Sequence, residues 1–176
     1  MGHCTRTEFE PLNIAVLTLS DSRDLSQDTS GQFLQEALLA AGHKLAERRL
    51  IKDDKYQIRS VLSQWIASND VQVIITTGGT GFTERDNTPQ AVKPLLDREI
   101  EGFGELFRHI TYTELGTSTV QSRALGGFAN KTAIFCLPGS TGACKTGWNK
   151  ILKEQLDATH RPCNFVMHVK KVAIDE

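Results

Sequence analysis

Three stretches of the chain are apolar at nearly every position: "NIAVLTLS" at 13–20, "VQVIITT" at 71–77 and "KTAIFCLPG" at 131–139. Short apolar runs without alternation predict strands covered on both faces, as in a parallel sheet. "KLAERRLIK" at 44–52 is a weaker strand candidate. The segments between them have a different period. In "SGQFLQEALLAAGH" at 30–43, Phe33, Leu34, Ala37, Leu38 and Ala41 recur at helical spacing, and Gly42 supplies a stop. In "DKYQIRSVLSQWIASN" at 54–69, Ile58, Val61, Leu62, Trp65 and Ile66 do the same. A third helical region, 88–110, is interrupted by Pro94 and Gly102, and 142–158 predicts a last long helix. "NFVMHVKK" at 164–171 fits a short strand or an exposed arm, and 1–11 reads as a polar arm.

Strand and helix alternate along the chain. The order predicts an α/β fold, a three-layer α/β/α sandwich with a mostly parallel central sheet, as one domain over 1–176. Such sheets bind ligands outside the carboxyl ends of their strands. Three predicted strands end in unusual loops: "LSDS" at 19–22, "GGTGFTERD" at 78–86 and "LPGST" at 137–141.

Composition narrows the possibilities. A formal charge of −1 carries no chain-wide basic footprint for nucleic acid, although a local cationic pocket remains open. No apolar run has the length of a membrane span, and the polar start is no signal peptide, so the expected compartment is the cytoplasm. Cys4, Cys136, Cys144 and Cys163 lack the close spacing of zinc or redox motifs, so reduced thiols are expected, with Cys136 a small core residue.

The loop "TTGGTGFTERDNTPQ" at 76–90 holds the densest chemistry. Glycine lets a ligand approach the backbone, and successive amides can point at an anion. Gly78, Gly79, Thr80 and Gly81 therefore suggest a phosphate cradle, with Thr83, Arg85 and Thr88 as further donors. The loop matches neither G-x-x-x-x-G-K-[ST] nor G-x-G-x-x-G. Asp86 would repel a phosphate unless a cation lay between them, and Mg²⁺ is the ion that bridges carboxylate and phosphate oxygens. Asp53 or Asp54, after the second strand, could add a second carboxylate, with helix capping the expected role of Asp54.

This loop resembles that of the molybdenum cofactor biosynthesis family, which includes MoaB, MogA and the G domains of plant Cnx and animal gephyrin. The resemblance extends to "LTLSDS", "DTSG", "RLIKDD", "DREIEGFGELFR", "QSRALGGFANKT" and "LPGST", in the family's order over nearly the whole chain. The half from "EGFGELFR" to "LDATHRPCNF" looks most like the MoaB branch. The resemblance implies a molybdopterin adenylyltransferase that joins the terminal phosphate of molybdopterin to AMP from ATP, releases pyrophosphate and needs Mg²⁺. It implies Asp86 and Asp53 as catalytic and metal-binding acids. It implies substrate contacts at Ser20, Asp28, Ser30, Gly78, Gly79, Thr80, Gly81, Thr88, Glu101, Ser122, Arg123, Gly139 and Ser140. It also implies a homotrimer or hexamer and, as partners, other enzymes of the pathway. Lys52, Thr141 and Gly142 depart from the pattern, which often has Pro before the acid and Pro then Lys or Asn after "PG[SN]". "RDNTP" keeps the acid that inactive MoaB-type members have lost.

Two other readings use the same residues. One is a non-catalytic molybdopterin-binding scaffold. The other is a serine hydrolase built on Ser140, although "PGSTG" lacks the first glycine of G-x-S-x-G and no histidine has a triad context.

Overall fold

The computed structural model describes residues 6–172; Cys4 and the first part of the polar arm lie outside them. Along the chain come β1 (Asn13–Leu19), α1 (Thr29–Ala40), β2 (Lys44–Ile51), α2 (Lys55–Ala67), β3 (Val73–Thr77) and α3 (Thr88–Val92). They are followed by β4 (Arg98–Glu99), α4 (Glu101–Leu115), β5 (Leu125–Ala129), β6 (Thr132–Leu137), α5 (Thr141–Gly147) and α6 (Lys153–Gln155). Among the described residues one six-stranded sheet forms, in the order β2-β1-β3-β6-β5-β4. β2, β1, β3 and β6 run parallel, and β5 and β4 are antiparallel to their neighbours.

The two faces of the sheet divide the apolar residues by strict alternation. Ile14, Val16, Val73, Ile75, Ala133 and Phe135 pack with Leu34 and Leu38 of α1, Phe103 and Phe107 of α4, and Trp148. Ala15, Leu17, Ile74, Ile134 and Cys136 pack on the other side with Ile58, Leu62 and Trp65 of α2 and with Val92. This is the period-2 geometry of a strand with helices on both sides. Each large aliphatic side chain so buried contributes about 1.5–3 kcal/mol of transfer free energy.

The structure departs from the sequence reading in five places. First, β4 was not anticipated, and β5 was not distinguished from β6 as a strand of its own. "LGGFA" carries two glycines, which weaken a strand signal. Leu96 and the Arg98 carbonyl leave no room for a side chain on Gly127, and Phe135 and Phe103 would lie 3.1 and 3.2 Å from a Cβ on Gly126, a tight fit. β5 returns into β6 through Asn130 and Lys131, at φ 47° and 58°, the left-handed pair of a tight hairpin turn. Second, 164–171 forms no strand: Val166–His168 is a short 3₁₀ turn, and Val166 and Val169 are buried. Third, the break in the 88–110 region falls at 96–100, and α4 runs through Gly102. Fourth, the last helix passes through a π turn at Trp148–Leu152. Fifth, the described end of the polar arm carries an apolar contact, with Phe9 packed on His43.

His43 sits where that arm meets the core. Its Nδ1 accepts the Leu12 amide proton at 3.2 Å, and the Trp148 ring meets it edge-on. Burial pushes its pKa down from 6.5 to about 4, against a weaker opposing pull from Asp157. The folded chain refuses a proton that the unfolded chain takes up, so this contribution is complete above pH 6.5 and is lost as pH falls toward 4. We expect the wild type to lose at most about 3 kcal/mol more stability than His43→Gln over that interval, measured by urea denaturation at several pH values. Parallel curves for the two proteins would refute the assignment.

Candidate functional site

The carboxyl ends of β1, β3 and β6 open into a cleft of about 730 Å³. That volume falls within the range of ordinary ligand sites. Its floor is the loop after β3. Gly79 has φ +64°, and a Cβ there would overlap the Asp53 carboxylate and the Thr88 hydroxyl. A Cβ on Gly81 would lie 2.7 Å from Asp86 Oδ2. The glycines are thus required first by two carboxylates of the protein itself, which press against the turn from different loops.

Each carboxylate is held. Asp86 Oδ2 accepts from the Thr83 amide at 2.8 Å and its hydroxyl at 2.6 Å. Burial pushes Asp86 up, but Thr83, the Gly81 amide and the Arg123 charge together outweigh it and hold the group below its ordinary value. Asp53 Oδ1 accepts the Asn87 amide at 3.1 Å. Burial raises its pKa, Asn87 opposes, and the neighbouring charges of Asp86 and Asp21 raise it further. Asp54 caps α2, accepting from the amides of Tyr56 and Gln57, so its role is local. The adjacent aspartates therefore divide: one ends a helix and the other faces the cleft.

The remaining sequence candidates separate into three groups. Ser20, Gly78, Gly79, Thr80, Gly81, Ser122, Gly139 and Ser140 line the cleft together with Asp53 and Asp86. Among the described residues the amides of Gly79, Thr80, Gly139 and Ser140 have no partner within the chain, and all four residues face this space. Asp28, Ser30, Thr88 and Arg123 support the walls without lining them. Asp28 is buried, caps α1, accepts the Thr18 hydroxyl at 2.7 Å and pairs with Arg48 at 2.9 Å. Ser30 donates to the Gly139 carbonyl and Thr88 to the Gly78 carbonyl. Arg123 donates to the carbonyls of Thr80 and Asp86 at 3.3 and 2.9 Å while its guanidinium stacks on Phe82. Glu101 lies elsewhere, in a neighbouring hollow with Arg108.

Sequence reasoning missed Asp21 and Arg23, next to Ser20, and the far wall made by Thr111, Glu114, Leu115, Ser118 and Gln121. Asp21 accepts the Asp53 amide and pairs with Arg85 at 3.6 Å. "LSDSR" lay inside a loop already singled out, so Asp21 was within reach. The far wall returns to the cleft only through tertiary packing.

Among the described residues no three His, Cys, Asp or Glu side chains are arranged as a protein-only metal cage. Two crowded carboxylates suit Mg²⁺, which takes one or two from the protein and the rest from water and phosphate. No histidine lines the cleft, and the Ser140 hydroxyl accepts the Ala143 amide as the cap of α5, so the serine-hydrolase reading has no base beside its nucleophile. Lys145 faces Phe33 at 5.9 Å and does not line the cleft.

Residues 15–158 match the family model described as a probable molybdopterin binding domain. The chain belongs to the molybdenum cofactor biosynthesis family. It is 54% identical over 165 residues to molybdenum cofactor biosynthesis protein B of Escherichia coli K12, covering 94% of this chain and 97% of that one. It is similar to a crystal structure of molybdenum cofactor biosynthesis protein B, at TM-score 0.81 and 44% identity over 84% of this chain and 92% of the other. It is also similar to the tungsten cofactor synthesizing protein MoaB of Pyrococcus furiosus, at TM-score 0.74 and 36% identity over 82% and 92%. No helix among the described residues is long and apolar enough to cross a membrane.

The glycine turn gives a direct test. Gly79→Ala meets both a left-handed backbone and the Asp53 and Thr88 oxygens, and we expect it to lose about 2–4 kcal/mol in chemical denaturation. Gly102→Ala, in α4 with open space around it, should instead gain about 0.4–1 kcal/mol. Equal effects at the two positions would show that the carboxylates do not press on the turn.

Proposed function

We propose that this chain adenylylates molybdopterin, using Mg-ATP and releasing pyrophosphate, as a step of molybdenum cofactor biosynthesis. One observation carries the reading: the glycine turn packs directly against two carboxylates, Asp53 and Asp86, that line one cleft with free backbone amides. Family membership and the names of the similar proteins support the biosynthetic role.

The chemistry joins two anions. An oxygen of the pterin phosphate attacks the α-phosphorus of ATP, a new P–O–P link forms, and the bond from the α-phosphorus to the bridging oxygen breaks with pyrophosphate leaving. No covalent intermediate with the protein is needed, so positioning and charge neutralisation supply the acceleration. The amides of Gly79, Thr80, Gly139 and Ser140 would hold phosphate oxygens from two neighbouring loops. Asp53 and Asp86 would hold Mg²⁺, which when bound offsets the charge that accumulates on the phosphates. Arg123 keeps the backbone of the Asp86 loop in place through two carbonyls. Arg23 and Arg85 bring positive charge to the same cleft.

Self-association as a trimer or hexamer belongs to the same proposal. Leu106, Tyr112 and Val120 are exposed on α4 and the following turn, which supports an interface there.

Asp86→Asn removes charge at nearly constant volume. We expect an unchanged melting curve, retained molybdopterin binding and at least a hundredfold slower pyrophosphate release from Mg-ATP and molybdopterin, an effect of about 2.7 kcal/mol or more. Wild-type turnover in this variant would refute the metal-binding role. Pterin binding by the unaltered protein with no pyrophosphate release would favour a non-catalytic scaffold.

A further inference from the structure

We infer that Glu114 reads the pyrimidine edge of the pterin, and that the cleft is divided into a phosphate end and a pterin end. The inference rests on the molybdopterin reading above. Among the described residues the cleft is lined by two cations, Arg23 and Arg85, and by four carboxylates. Asp86 and Asp21 are near enough for their charges to act on Asp53, and Arg85 pairs with Asp21. Glu114 comes from a different wall, the end of α4, and its side chain has no hydrogen bond or ion pair among the described residues.

Helix stability does not account for its placement. Glu114 is in the last turn of α4, whose orphan carbonyls favour a cation there, and that turn carries no basic residue. An acid at this position weakens the helix slightly. Local rules broken in this way mark sites where another demand prevails. The neighbouring side chains define the demand: Ser118 and Gln121 have no side-chain partner among the described residues, and exposed Leu115 supplies apolar surface for a flat ring.

An unpaired carboxylate repels every phosphate, so the part of a substrate that meets Glu114 must carry no negative charge and must donate; of the pterin and the nucleotide base, both neutral, the donor pattern decides. The pterin edge presents N3–H and the 2-amino group side by side, two donors for two carboxylate oxygens. Adenine presents its amino group beside the acceptor N1, so a carboxylate meets one donor and one repelling lone pair. The geometry therefore assigns this wall to the pterin and leaves the nucleotide to the glycine-loop side.

The test is a fluorescence titration of molybdopterin against the wild type, Glu114→Gln and Glu114→Asp. Two competitors are added, 6-hydroxymethylpterin and its 2-dimethylamino analogue. The expected result is at least tenfold weaker molybdopterin binding in Glu114→Gln, with Mg-ATP binding within twofold of wild type and the melting curve unchanged. The wild type should prefer the unmethylated competitor, and Glu114→Gln should lose that preference. Glu114→Asp, which keeps the charge, should regain part of it. Equal molybdopterin binding by wild type and Glu114→Gln, or an unchanged preference between competitors, overturns the assignment of Glu114 alone. Failure of the wild type to bind molybdopterin overturns both this assignment and the function on which it rests.

Discussion

The site depends on one steric constraint: the turn after β3 must be bare enough for two aspartates to lie against it. Asp53 arrives from the end of β2 and Asp86 from within the turn's own loop. Only a parallel arrangement of β1, β2, β3 and β6 delivers all of these loops to the same edge of the sheet. The loops are also fastened to one another. A Cβ on Gly139 would lie 3.2 Å from the Gly78 Cα, Ser30 ties Gly139 to α1, and Thr88 ties α3 back to the Gly78 carbonyl. Asp28 and Ser30 therefore serve the site indirectly, by fixing the end of a helix whose first turn buttresses the loop after β6.

Electrostatics gives the two aspartates different characters. Three donors and a guanidinium hold Asp86 ionised, while burial and two neighbouring carboxylates act against the charge on Asp53. A divalent cation relieves the second condition more than the first. Arg123 contributes to this difference without touching either carboxylate. Its donors go to backbone carbonyls, so its charge is felt at Asp86 while its hydrogen bonds shape the loop.

Much of this was legible in the sequence, for local reasons. The apolar runs of β1, β3 and β6, the helical spacing of α1 and α2 and the glycine turn depend on residues close together in the chain. The Asp54 cap was legible for the same reason, and it separated the roles of Asp53 and Asp54. What escaped depends on distant packing. β5 looks poor as a strand because Leu96 and the Arg98 carbonyl occupy the space that a side chain at Gly127 would need. Val166 and Val169 look like an alternating strand but are buried as single anchors. Glu114 and Gln121 reach the cleft only because α4 folds across the sheet. Glu101, which the family pattern implies near the site, lies in a hollow that adjoins the cleft and shares Ser122 with it.

The margins of the sheet set a limit on how copies of this chain can meet. A free strand edge is a template for adding another strand and so for aggregation. One margin is β2, which carries Lys44, Glu47, Arg48 and Arg49 within eight residues. The other is β4, only two residues long and both charged. Neither offers a long neutral ladder to an incoming backbone. Specific association must therefore be built from side chains on helix faces, and an open-ended stack of sheets is disfavoured from both sides.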